Sequence, residues 1–169
     1  MPLVLSGSGT IQNAAGTAGI SIDSSNRVLT PLNPHAICKM VLSNAGAYNV
    51  AAASATIIPT NVLRNIGGIY NSSNGRFTAS VAGLYEINFS TNLYTAPASG
   101  WIQVQTHING SQYSQHYEDR LASNWQFMGF HDLVYLNAND FVTLIISCAS
   151  GTTGCDVNNY TLISFALVG

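Results

Sequence analysis

Charge is what this chain has least of. Only 7% of its 169 residues are Asp, Glu, Lys or Arg, against roughly 25% in an ordinary soluble domain. The five Lys and Arg are scattered and the formal net charge is −2. Neutralising a phosphate backbone takes clustered cations, so nucleic acid is disfavoured as a partner. Cysteine is scarce as well: Cys38, Cys148 and Cys155 are too few for a disulfide framework. Cys148 and Cys155 are spaced to bridge a loop, whereas free thiols are the expected state in a protein made in the cytosol. No run of about 18 apolar residues exists to insert as a helix in a membrane. The start, MPLVLSGSGTIQ, has no cation and few apolar residues, so no secretory signal is expected.

Catalytic motifs are missing too. There is no Gly-x-Ser-x-Gly elbow to expose a nucleophile. Residues 6–10, SGSGT, share only their glycines with a phosphate loop. His35, His107, His116 and His131 are too far apart to form a His-x-His or His-Glu-x-x-His metal pair. His107 and His131 fall at strand positions and are expected as hydrogen-bonded wall residues. Spacing offers no way to pair Glu86, Glu118, Asp132 or Asp140 for acid–base work. Neither an enzyme nor a cofactor is expected. Asn-x-Ser/Thr occurs at Asn71, Asn88, Asn109 and Asn159. These are glycan acceptors only in a secreted protein, and chance accounts for them in so Asn-, Ser- and Thr-rich a chain.

What fills the chain instead is apolar and amide-bearing. Hydrophobic residues make up 47% and the mean hydropathy is +0.21. With so little Lys and Glu, the solvent face must be built from Asn, Ser, Thr, Gln and Tyr. Contiguous apolar patches are rare on soluble monomers, so much apolar surface is expected to be hidden in an oligomer. The length favours one domain, burying about two-thirds of its unfolded surface.

Residues 1–34 differ in texture from the rest. SGSGTIQNAAGTAG is small, polar and glycine-rich and cannot supply a core of its own. Ile20, Ile22 and Val28 flank a polar DSSN turn, which predicts a short hairpin. Pro31 and Pro34 then break the backbone. This segment reads as an extended arm for attachment or subunit contact, with an unstructured tail as the alternative. Residues 35–169 read as the binding domain.

From Ala36 onward the pattern is strand and turn. Tyr85, Ile87, Phe89, Thr91 and Leu93 alternate with polar residues, the period of a half-buried strand. Ile102, Val104, Thr106 and Ile108 alternate likewise, ahead of an Asn109-Gly110 hairpin turn. Asn74-Gly75 predicts a second such turn. In Trp125–Leu136, Trp125, Phe127, Leu133 and Tyr135 lie on one face, with Met128, Phe130, Val134 and Leu136 on the other. A strand apolar on both sides of a small sandwich needs a second partner surface. These signals support an antiparallel β-sandwich that oligomerises.

One segment carries fixed spacing. In NIGGIYNSSNGRFTASVAGLYEINF, Asn65 is followed five positions on by Tyr70, then seven further on by Phe77, then by Gly83, Tyr85 and Phe89. This resembles the signature of the globular head of complement component 1q, in the tumour necrosis factor-like jelly-roll superfamily. Two positions depart: Pro59 stands where Phe is usual, and Ile87 replaces a Phe. LVYLNANDFVTLIIS and YTLISFALVG resemble the closing strands of that fold. The resemblance covers about residues 34–169. It implies an all-β antiparallel jelly roll of about ten strands, assembled as a compact homotrimer that binds something. Some such relatives hold calcium, for which Glu118 and Asp119 would offer carboxylates; the alternative is a solvated loop with an Asp119–Arg120 pair.

Tyr94, Trp101, Tyr113, Tyr117 and Trp125 sit amid amides and hydroxyls, which is the chemistry of sugar recognition. For any single ring, filling the core or the threefold seam is the commoner role. The polar arm and small β-domain resemble in layout the virion proteins of tailed bacteriophages. The expectation is therefore a phage structural protein located in the virion. It would bind host-surface glycan at a tail-fibre tip through loops at residues 95–100 and 111–124. A capsid decoration (cement) protein, contacting other virion proteins through residues 1–34, is the alternative.

Overall fold

The computed structural model describes residues 10–12, 18–22, 28–29, 34–39, 48–50, 54–94, 101–119, 125–148, 155–157 and 160–169. The chain divides into two units, Met1–Asn33 and Pro34–Gly169. The first unit contains strands β1 (Thr10–Gln12), β2 (Ala18–Ile22) and β3 (Val28–Leu29), forming an antiparallel sheet in the order β1-β2-β3. The expected hairpin is the β2–β3 pair, with Ser21 opposite Leu29 and Ile22 opposite Val28. β1 adds a third strand that hydrophobic alternation alone does not reveal.

The second unit is all strand and turn. Its strands are β4 (His35–Lys39), β5 (Tyr48–Val50), β6 (Ser54–Thr56), β7 (Asn61–Ile66), β8 (Tyr70–Asn71), β9 (Arg76–Thr78), β10 (Gly83–Tyr94), β11 (Trp101–Ile108), β12 (Ser111–Asp119), β13 (Trp125–Leu136), β14 (Phe141–Cys148), β15 (Cys155–Val157) and β16 (Leu162–Leu167). A seven-stranded sheet runs β5-β15-β10-β16-β4-β7, with β13 on the other side of β10. A six-stranded sheet runs β12-β11-β14-β9-β8, with β6 on β14. Every pairing is antiparallel. The two sheets form the expected jelly-roll-like sandwich, several of whose strands are short segments. No helix occurs among the described residues, and so none long and apolar enough to cross a membrane.

Alternation decides which side chains fill the interior. Tyr85, Ile87 and Phe89 of β10 point inward with Ile163 and Phe165 of β16 and Ala36 and Cys38 of β4. Ile102 and Val104 of β11, and Val142, Leu144 and Ile146 of β14, meet them from the other sheet. Each fully buried large side chain contributes about 1.5–3 kcal/mol of transfer free energy. The Cys38 thiol lies in this core as a free cysteine, and burial pushes its pKa up to about 12, so it is inert.

β13 behaves as the two-faced strand the pattern foretold. Met128, Val134 and Leu136 are buried, while Phe127, Leu133 and Tyr135 on the outer face are 65%, 51% and 66% exposed. Asn109 and Gly110 have φ of 52° and 84°, the left-handed pair that a two-residue hairpin turn requires. Asn74-Gly75 differs from expectation. It closes a four-residue turn between β8 and β9, with Gly75 N and Asn74 N donating to Asn71 O at 3.0 and 3.4 Å. The Asn71 side chain caps the turn by accepting from Ser73 N at 2.9 Å, which lengthens it.

The ends of the domain converge. Leu167 N donates to Pro34 O at 3.0 Å. Leu84 N donates to Gly169 O at 2.6 Å, and Val168 N to Leu84 O at 2.8 Å.

Candidate functional site

Of the signature residues, Asn65, Tyr70, Phe77 and Tyr85 are linked where the chain passes from the seven-stranded to the six-stranded sheet. Asn65 ends that passage on β7 and Tyr70 begins β8. The Asn65 amide donates to Tyr70 O at 3.0 Å and its Oδ1 accepts from Tyr70 N at 3.1 Å. The Tyr70 ring packs on Phe77 at 4.5 Å, Phe77 on Phe165 at 5.4 Å, and Phe165 on Tyr85 at 4.7 Å. Tyr70 OH donates to Pro59 O at 2.7 Å. Because that acceptor is a backbone carbonyl, the departure at position 59 leaves the bond intact. Ile87 fills its core position with 1% exposure. Phe89 stacks on Phe130 at 5.2 Å. Gly83 is needed for close approach: a Cβ there would lie 2.5 Å from Leu167 Cδ1 and 2.7 Å from Gly169 O. Each of these six residues is engaged in packing or hydrogen bonding within the fold.

A polar cluster missed by sequence reasoning sits between β13 and the pair β11–β12. Asp132 Oδ2 accepts from Thr106 Oγ1 at 2.7 Å and Ser114 Oγ at 2.6 Å, and His116 Nε2 lies 3.2 Å away. The His116 ring stacks on Phe130 with centroids 3.9 Å apart and planes within 3°. Burial alone would raise the Asp132 pKa. The bonds from Ser114, Thr106 and His116, with the His116 charge, outweigh it and hold the carboxyl below its ordinary value. A Ser, a His and an Asp so grouped invite a nucleophile reading. Here, however, Ser114 Oγ donates to the carboxylate at 2.6 Å, while His116 Nε2 lies farther off at 3.4 Å, an order unlike the Ser-to-His-to-Asp chain of an activated nucleophile. The cluster ties the two sheets together.

Two expectations are corrected. Glu118 and Asp119 were placed in a solvated loop as the alternative to calcium, and residues 111–124 were expected as a binding loop, of which 120–124 lie outside the described residues. Instead Ser111–Asp119 is β12, paired along its length with β11. His116 points inward because it faces Val104 in the ladder, on the buried side of β11. His107 and His131 are wall residues as expected: His107 Nε2 lies 2.8 Å from Gln105 Oε1, and His131 Nε2 lies 3.0 Å from Glu86 Oε1.

Two of the five predicted ligand-binding rings have described side chains. Tyr113, on β12, is 54% exposed, and Trp101 is half-buried at the start of β11. The side chains of Tyr94, Tyr117 and Trp125 lie outside the described residues, as do those of Glu118, Asp119, Cys148 and Cys155 and the segment 95–100. Three of the Asn-x-Ser/Thr asparagines have structural partners. Asn71 holds the β8–β9 turn, Asn88 donates to Ser164 Oγ at 3.3 Å, and Asn109 donates to Asp140 Oδ1 at 2.8 Å. No group of three or more His, Cys, Asp or Glu positioned to hold a metal occurs among the described residues.

The two outer faces of the sandwich contrast. That of the seven-stranded sheet exposes Phe127, Leu133, Tyr135, Leu84 and Leu162. That of the six-stranded sheet presents Gln103, Gln105 and His107 of β11 beside Gln112, Tyr113 and Gln115 of β12.

The profile of the C1q domain family matches residues 41–167. Among solved structures, the globular domain of zebrafish complement 1qA protein superposes with a TM-score of 0.57. That match is 13% identical and covers 81% of this chain and 98% of that one. No curated protein matches the chain.

Proposed function

The chain belongs to the C1q domain family, whose members are typically trimeric recognition domains rather than enzymes, and from that premise we propose that it is a homotrimeric binding protein without catalytic activity. The observation that carries the reading is the outer face of the seven-stranded sheet, where Phe127, Leu133 and Tyr135 are each more than half exposed. Three copies packed around an axis would cover that face, whereas a monomer would leave it in water. The ligand-binding surface then lies on the opposite sheet and its connecting loops.

Within that reading, the protein is a virion component of a tailed bacteriophage. It binds a host-surface glycan at a tail or fibre tip, and residues 1–34 contact other virion proteins. Support comes from the separate N-terminal unit and from a charge-poor surface suited to a neutral ligand. Adsorption assays with host cells test it: the purified protein is expected to bind cells and to compete with the particle. A second reading, a capsid decoration protein, is favoured by the same N-terminal unit, which would spread over neighbouring capsid subunits. Locating the protein in particle images decides between them, since the first places it on the tail and the second on the head.

A further inference from the structure

We propose that the outer face of the six-stranded sheet, across β11 and β12, is a platform for neutral polysaccharide. Tyr113 is its stacking ring, and Gln103, Gln105, Gln112 and Gln115 are its hydroxyl-pairing groups. The proposal rests on the reading of the protein as a surface-binding trimer, and it moves the contact from the loops onto the sheet.

Register builds the platform. Gln103, Gln105 and His107 alternate with the buried Ile102, Val104 and Thr106, so they face outward. Gln115 lies opposite Gln105. The ladder then slips between Thr106 and His107: Ser114 pairs with Thr106, but Gln112 pairs with His107. A bulge of this kind sets two residues of one strand against one of its partner. It brings Gln112 and Tyr113 to the outer side together and leaves the Tyr113 ring 54% exposed. Without the bulge, strict alternation would put only one of them there.

The chemistry of the face selects the ligand class. A primary amide both donates and accepts, as a sugar hydroxyl does, and an aromatic ring offers an apolar plane for a pyranose face. Three of the four amides have a neighbour that holds them. Gln112 Nε2 donates to Gln115 Oε1 at 3.1 Å, and Gln105 Oε1 is 2.8 Å from His107 Nε2. Each bond occupies one end of an amide and orients the other toward solvent, which reduces the ordering cost of binding. Charge excludes the main competitors. Among the described side chains of this sheet, the Arg76 guanidinium is the permanent cation, and it lies 4.1 Å over the Phe141 ring. An acidic polymer would therefore find no cation array. A protein partner held by burial of apolar surface would be drawn instead to the opposite sheet, where Phe127 and Tyr135 stand exposed.

The test is affinity electrophoresis of the full chain through native gels containing dextran, yeast mannan, a neutral galactan or alginate. At least one neutral polymer is expected to retard the protein, and alginate is not. Tyr113→Ala and the double variant Gln105→Ala/Gln115→Ala should each weaken that retardation at least tenfold. Tyr113→Phe should retain it, and all variants should keep the parent's mass in solution. Retardation by none of the neutral polymers, retardation by alginate alone, or undiminished binding by Tyr113→Ala would overturn the platform. If the protein nevertheless adsorbs to cells, the surface-binding reading stands with its contact elsewhere; if adsorption fails while a neutral polymer is bound through Tyr113, the platform stands and the host assignment falls.

Discussion

One side chain, Asn65, stands in for a rung of sheet. Its amide gives and takes a hydrogen bond with the backbone of Tyr70, closing the step between two sheets where strand pairing cannot continue. Asn65→Ala removes both bonds and leaves the Tyr70 peptide short of partners. Urea unfolding should show a loss of about 1–3 kcal/mol. Asn65→Asp keeps the acceptor and should lose less. The second residue-scale prediction concerns acid. The Asp132 carboxyl is held below its ordinary pKa by its hydroxyl and imidazole partners, so its contribution is fully present above the unfolded value near 3.9. It is lost as pH falls through the lower folded value. Asp132→Asn should therefore be less stable than the parent at neutral pH, and the gap should close in strong acid, as followed by unfolding at a series of pH values. The two residues differ in how far sequence could reach them. Asn65, Tyr70 and Phe77 are joined by short-range spacing and were legible as a signature. The partners of Asp132 come from residues 16, 18 and 26 positions away, and only the closed sandwich brings them to one carboxylate.

Among the elements, β10 organises the larger sheet, since β13 runs along one side and β16 and β15 along the other. Its alternation was readable because it holds for every described position from Tyr85 to Thr91. Its start depends on Gly83, where the last strand crosses within reach of any added methyl. Gly83→Ala should displace Leu167 and Gly169, lowering the midpoint of thermal unfolding. Amide exchange should rise first at Leu84 and Val168, whose N–H groups donate to Gly169 O and Leu84 O. β12 shows where pattern reading stops. Polar residues such as Ser114 and His116 look like loop in a list of letters, yet they face the interior because Asp132 satisfies them. The bulge then breaks the alternation between Gln112 and Tyr113, and no local signal announces an extra residue in a ladder.

For the whole molecule, the contrast between an apolar and an amide-bearing outer face predicts separable behaviour. Tyr135→Asp or Leu133→Asp should turn a trimer into monomers in analytical ultracentrifugation, because a carboxylate at the seam would be buried without a partner. The far-UV spectrum should not change, since both side chains lie outside the core. A parent protein that sediments as a monomer at micromolar concentration would remove the basis of the trimeric assignment. The bond from Leu167 N to Pro34 O has a further consequence. The domain is nearly a closed loop of chain, its first and last residues meeting at one pole. A few added residues could join Gly169 to Pro34, and the polypeptide could be reopened between Asn109 and Gly110, whose turn lies at an exposed tip. Such a circular permutant should fold to the same sandwich, and it would allow a reporter or a surface tether to be placed at that tip.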